Sequence, residues 1–131
     1  MQDCIFCKII NNEIPCTKIY EDRKVLAFLD INPASKGQTL VISKKHESYI
    51  FNLKDDNYSY LFLIAKKIAK IIDKAFNPLR TCIVVEGFAV DHVHVKLYPC
   101  YERYLNLRPM EPKPSTEELE KIASKIKSLL K

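Results

Sequence analysis

The sequence predicts an α+β fold: a mainly antiparallel, five-stranded sheet with one long helix and short N- and C-terminal helices. Three observations predict it. Residues 56–76 carry apolar side chains at helical three- and four-residue spacing. Five short stretches of apolar and β-branched residues flank that segment, three before it and two after. The strands within each group follow one another closely, as hairpins do, so the long segment is the one crossover between groups.

Each element has a local signature. "CIFCKIINNEIP" reads as a short helix with Ile5, Phe6 and Ile9 inward and Pro15 closing it. "CTKIYED" and "VLAFLD" read as strands joined across Glu21 to Lys24. "NPASKG" is a turn, opened by Asn32 and Pro33 and ended by Gly37. "QTLVISKK" is the third strand, and "HESYIFNL" a short irregular or helical piece. On the long helix Tyr58, Leu61, Phe62, Ala65, Ile68, Ala69, Ile72 and Phe76 form the inward stripe. Lys66, Lys67, Lys70 and Lys74 lie mostly off it, and Leu63, Ile64 and Ile71 form a second apolar face. "TCIVVE" and "HVHVKLY" are the last strands, the second ended by Pro99. "STEELEKIASKIKSLL" is a terminal helix with Ser115 as N-cap and Glu118 completing a capping box. Residues 1–131 therefore read as one domain, with a core over about 4–101 and a C-terminal extension, with its helix, over 102–131.

Composition narrows the function classes. With 47% hydrophobic and 28% charged residues the chain is neither disordered nor fibrous. Its net charge of +5 is spread along the sequence, which suits an anionic ligand and makes nucleic acid an unlikely main partner. No apolar run reaches the roughly 18 residues of a membrane span. "MQDCIFCKII" lacks the features of a signal peptide, so a cytoplasmic protein without membrane partners is expected. Five cysteines, an odd count, argue against a disulfide framework, and metal-ligating thiolates fit better. Two glycines leave no glycine-rich phosphate loop.

The densest chemistry lies in "DHVHVKLYP", residues 91–99. Side chains of a strand alternate between faces. Val93, Val95 and Leu97 turn to the core, while His92, His94, Lys96 and Tyr98 share the other face. Two imidazoles and an ammonium in a row repel unless an anion or a metal joins them, and a phosphate group suits the row. "CIFC" adds Cys4 and Cys7 at the spacing of a zinc knuckle, and His46 is the remaining histidine. A redox pair and unligated structural thiols are the competing readings of Cys-x-x-Cys.

These residues carry a resemblance. "CIFCKIINNEIP", "IYED", "VLAFLDINPASKGQTLVISKKH" and "HVHVKLYP" resemble the histidine-triad (HIT) family of nucleotide hydrolases and transferases, near its Hint-like microbial branch. The likeness covers about residues 4–101. It implies a HIT-like fold and attack on the α-phosphate of a purine nucleotide or nucleotide conjugate, such as a phosphoramidate or a dinucleoside polyphosphate. His94, the middle motif histidine, would attack and form a covalent nucleotidyl-imidazole that water hydrolyses. Asp30 looks like the ribose-binding acid, and Phe6, Ile9, Phe28 and Ile31 match the apolar walls around the base. The likeness also implies a structural zinc held by Cys4, Cys7, His46 and His92, and a homodimer joined across strand and long helix.

The chain departs from the pattern twice. Lys96 stands where the family has its third motif histidine; it keeps a cation for the phosphate but is not a histidine acid. "GFAVD" replaces a longer loop with Gly-Gln-Ser that cradles phosphate, so Ser and Gln donors are missing. These departures support an alternative to the enzyme: a zinc-stabilised nucleotide-binding protein with little or no turnover.

Overall fold

The computed structural model describes residues 3–130. In chain order the elements are α1 (Ile5–Ile10), β1 (Lys18–Glu21), β2 (Val25–Leu29), β3 (Thr39–Ser43), a single 3-10 turn (Ile50–Asn52), α2 (Asp55–Phe76), β4 (Arg80–Val84), β5 (His94–Cys100) and α3 (Thr116–Leu129). No helix among the described residues is long and apolar enough to cross a membrane.

Helix ends follow from local chemistry. The Cys4 thiol caps α1 by accepting the Cys7 backbone N–H. Asp55 and Asp56 sit in the first turn of α2, where its dipole favours negative charge. Asn77 ends α2 in the left-handed region at φ 51°, a conformation asparagine tolerates, and Pro78 then prevents continuation. Ser115 and Glu118 form the expected reciprocal capping box on α3.

The sheet order is β1-β2-β3-β5-β4, with every neighbouring pair antiparallel. Alternation along the strands gives it two apolar faces. Val25, Ala27, Leu29, Val41, Val95 and Leu97 pack with Leu61, Ala65, Ile68 and Ile72 of α2, and Leu119, Ala123 and Ile126 of α3 join them. Leu26, Phe28, Leu40 and Ile42 face the other way and pack under Phe6 and Ile9 of α1. Both faces of β2 and β3 are thus covered, which is why their burial is continuous and not alternating. His94, Lys96 and Tyr98 lie on the α1 face of β5, the strand at the centre of the register with β3 and β4.

Some expectations are corrected. Ile64 belongs to the core and not to a second, outer face, because α2 is flanked by the sheet and α3 and buries a wider stripe. Leu63 is exposed as expected, and Ile71 is half-buried against the core. Ile5 is 45% exposed, since a six-residue helix lying on the sheet turns only Phe6 and Ile9 fully inward. β5 begins at His94, not His92, and continues through Pro99 to Cys100; Pro99 stands opposite Thr81 of β4, past the last pairing with β3 at Leu97, so it is tolerated where only one side of the strand is paired.

Candidate functional site

The N-terminal end of α1, the segment after β3 and the approach to β5 bring four metal-ligating side chains, Cys4, Cys7, His46 and His92, to one point. Nδ1 of His92 lies 3.3 Å from the Cys4 sulfur, 3.6 Å from the Cys7 sulfur and 3.2 Å from Nδ1 of His46. The Cys7 sulfur is 3.3 Å from Nδ1 of His46, and all four donor atoms lie within 4.8 Å of one another. A tetrahedral zinc ion, with bonds of about 2.3 Å to sulfur and about 2.0–2.1 Å to nitrogen, spaces its ligands by about 3.3–3.8 Å. The donor set fits such an ion.

The tautomer of His92 fits too. Its Nε2–H donates to the Ser43 carbonyl at 2.7 Å, so a neutral ring presents the Nδ1 lone pair to the other three donors. Burial holds the His92 imidazole below the ordinary histidine range and so keeps it neutral. The Cys7 thiol is pushed up to about 11, first by burial and then by the neighbouring Cys4 thiol. A bound cation reverses that balance by stabilising thiolate.

His94 lies two residues on, 2% exposed, with the Phe6 ring edge-on at 5.0 Å. Its Nδ1–H donates to the His92 main-chain oxygen at 2.6 Å. The second ring nitrogen, Nε2, is therefore the one with a free lone pair. Burial lowers the His94 pKa against the hydrogen bond to His92, and the charge on Lys96 lowers it further.

His94 borders a cavity of about 420 Å³ between α1, the start of the β2–β3 turn and β5. Phe6, Ile9, Phe28, Asp30, Ile31 and Lys96 line the same cavity, so all the residues expected to meet the nucleotide meet one space. Ile31 is 56% exposed and stands at its rim. Asp30 is fixed at both oxygens: Oδ1 accepts the Asn32 N–H at 2.8 Å, and Oδ2 accepts Nε2–H of Gln38 at 2.9 Å. Gln38 is buried and bound in turn by the Ala34 N–H.

Four contributing residues were not anticipated. Gln38 orients Asp30; its place opposite Asp30 across the turn was the available signal. Glu86 pairs with Lys96 at 3.1 Å across β4 and β5, where Val84 stands opposite Lys96. Burial opposes ionisation of Glu86, but the Phe88 N–H and the Lys96 ammonium outweigh it and hold the carboxyl below its usual range. The positive row is therefore partly neutralised. Leu107 and Pro109 of the C-terminal segment also border the cavity, that segment being tied down by the Met110 N–H on the Pro33 carbonyl at 2.8 Å.

Comparisons with known proteins bear on the family and the fold. A HIT domain family model matches residues 11–103. An uncharacterised HIT-like protein of Methanocaldococcus jannaschii is 45% identical over 103 residues, 76% of this chain and 80% of that one. Adenosine 5'-monophosphoramidase of Schizosaccharomyces pombe is 37% identical over 131 residues, covering 95% of this chain and 98% of that one. The crystal structure of a Hit-like protein involved in cell-cycle regulation from Bartonella henselae superposes with a TM-score of 0.86 at 34% identity, over 98% of this chain and 97% of that one.

Proposed function

The chain belongs to the HIT domain family, and from that premise we propose that it is a nucleotide hydrolase acting at the α-phosphate of a purine nucleotide conjugate. The observation that carries the reading is the bond from Nδ1 of His94 to the His92 carbonyl, which leaves Nε2 as a lone pair beside the cavity. Nε2 attacks the α-phosphorus, the bond to the leaving group breaks, and a nucleotidyl-imidazole forms. Water then attacks phosphorus, the P–N bond breaks with its electron pair returning to Nε2, and the proton lost by the water passes to that nitrogen and on to solvent as the nucleotide leaves. Asp30, preset by Gln38 and Asn32, accepts the ribose hydroxyls. Phe6, Ile9, Phe28 and Ile31 hold the base, and Lys96 meets the phosphoryl oxygens.

We assign zinc to Cys4, Cys7, His46 and His92, a closed four-ligand set of structural type. A metal there supplies no reactive position; it pins His92, and with it the carbonyl that orients His94. We assign the protein to the cytoplasm and to a homodimer. Leu63 of α2 and Ile83 of the edge strand β4 are 62% and 50% exposed, which supports an interface on that side. Light scattering of wild type and Ile83→Glu tests it: a monomeric wild type refutes the dimer.

The deciding assay incubates wild type and His94→Ala with an adenosine phosphoramidate and with a dinucleoside polyphosphate, following AMP by chromatography. AMP from wild type alone is expected; none from either substrate refutes the hydrolase. One observation favours a second reading, a nucleotide-binding protein with little turnover: Glu86 occupies part of the charge of Lys96. Equal nucleotide affinity of wild type and His94→Ala, with no AMP formed, would support that instead.

A further inference from the structure

The groups around His94 restrict what can leave. Among the described residues lining the cavity, the titratable side chains are Cys16, Asp30, His94, Lys96 and Tyr98. His94 is taken up as nucleophile, and both oxygens of Asp30 are engaged as acceptors, from the Asn32 N–H and from Gln38. Burial raises both the Cys16 thiol and the Tyr98 phenol, so each holds its proton more firmly than usual. His92 cannot serve, because its Nε2–H is spent on the Ser43 carbonyl and its Nδ1 faces Cys4, Cys7 and His46. The remaining group is Lys96, two positions from His94 on the same face of β5.

Lysine near neutral pH is a fixed cation, whereas histidine is a proton donor. One of the three N–H bonds of the Lys96 ammonium is directed to Glu86 at 3.1 Å. Glu86 is anchored in turn by the Phe88 N–H at 2.9 Å. Two N–H donors remain for a ligand, on an ammonium whose place is set by that carboxylate. Among the described lining residues the cavity thus offers an ammonium beside His94 and no second imidazole to act as a proton donor.

We infer that this protein prefers mixed anhydrides, in which the group displaced from the nucleotide is a carboxylate, sulfate or phosphate, over phosphoramidates; this deepens the proposed hydrolase activity and rests on it. The balance of the step gives the reason. When Nε2 bonds to phosphorus and a P–O bond breaks, the electron pair leaves on an oxyanion that needs no proton and is stabilised by Lys96. When a P–N bond breaks, the pair stays on nitrogen, which must take a proton from an acid. Glu86 is then a positioning residue for this choice, acting through Lys96.

The test compares adenosine 5'-phosphosulfate with adenosine 5'-phosphoramidate as substrates of wild type and Lys96→His, each rate corrected for reaction in buffer. For wild type, kcat/KM for the phosphosulfate is expected to exceed that for the phosphoramidate by about a hundredfold, the low end of what a positioned acid contributes. Lys96→His, which restores an imidazole donor, is expected to shrink that ratio by about tenfold or more. A wild type that takes the phosphoramidate equally well overturns the inference, with no need of the variant. A ratio unmoved in a folded Lys96→His protein overturns it as well. AMP from the phosphoramidate alone defeats the inference while upholding the hydrolase; AMP from neither substrate defeats the inference, and the hydrolase falls with it only if a dinucleoside polyphosphate also yields none.

Discussion

His92 and His94 are coupled through one peptide oxygen: the His92 carbonyl accepts from Nδ1 of His94 at 2.6 Å while the His92 ring stands among Cys4, Cys7 and His46. Whatever holds that ring also sets the orientation of the next imidazole on the strand. The four-donor cluster and the cavity beside His94 are thus joined by the short stretch from His92 to the start of β5.

Metal removal should therefore reach the cavity. Purified protein is expected to contain about one equivalent of zinc by elemental analysis, consistent with one four-ligand site. Cys7→Ser should lose most of it. Melting should fall by several degrees, since each kcal/mol lost shifts Tm by roughly 3–6 °C in a chain of this size. AMP release should drop about 10–100-fold, the usual effect of loosening groups that orient a site. Full metal content and unchanged melting in Cys7→Ser would exclude the assignment.

Removing the proposed nucleophile should separate chemistry from binding. His94→Ala is expected to lower turnover at least about a thousandfold, since loss of a covalent nucleophile can cost up to about 10⁶ in rate. Affinity for AMP, measured by calorimetry, should change less than about fivefold, because the base and ribose contacts proposed above lie on other side chains. Incubating wild type with labelled substrate and quenching in alkali should trap label on the protein, and His94→Ala should trap none. Residual turnover within tenfold of wild type would reject His94 as the attacking group.

The histidine face was legible because strand alternation is local: once "HVHVKLY" is a strand, His94 and Lys96 must share a side. The residue types narrowed the metal cluster to two cysteines at knuckle spacing and three histidines, and the choice of His46 and His92 among those histidines came from the family resemblance. What could not be read depends on register between distant segments. The Glu86–Lys96 pair needs Val84 opposite Lys96, a match between strands that no periodicity specifies. Ile64 was misplaced for a related reason: helical spacing gives the centre of a stripe, while its width depends on how α3 packs beside α2. Leu107 and Pro109 reach the cavity only because the C-terminal segment folds back to Pro33.

Asp30 should matter through its preset geometry. Gln38→Leu removes the amide that donates to Oδ2, leaving Asn32 alone to hold the carboxylate. KM for a ribonucleotide substrate is expected to rise about tenfold, the equivalent of about 1.4 kcal/mol for one charge-assisted bond. Asp30→Asn should raise it further, and a 2',3'-dideoxy substrate should be insensitive to both changes. If the dideoxy substrate suffers as much as the ribonucleotide, Asp30 does not meet the sugar.

The last prediction concerns stability and pH, at a carboxylate far from the cavity. Asp22 closes the β1–β2 turn: Oδ1 accepts the Lys24 and Val25 N–H groups, each at 2.8 Å, and Oδ2 accepts the Tyr20 hydroxyl at 2.7 Å and the Tyr60 hydroxyl from α2. Burial opposes its ionisation, but the Tyr60 and Tyr20 hydroxyls and the two backbone donors outweigh it, so its pKa lies below the ordinary 3.8. A carboxyl lowered on folding adds stability that is present above its unfolded pKa and is lost as pH falls through its folded one. Asp22→Ala is therefore expected to cost about 2–3 kcal/mol at neutral pH, since it leaves four donors without a charged acceptor. The gap between variant and wild type in urea unfolding should narrow once pH drops below about 3.8. Tyr60→Phe, which removes one donor and keeps the carboxylate, should show a smaller gap that narrows over the same interval. A gap of equal size at pH 7 and below pH 3 would show that Asp22 acts through packing alone.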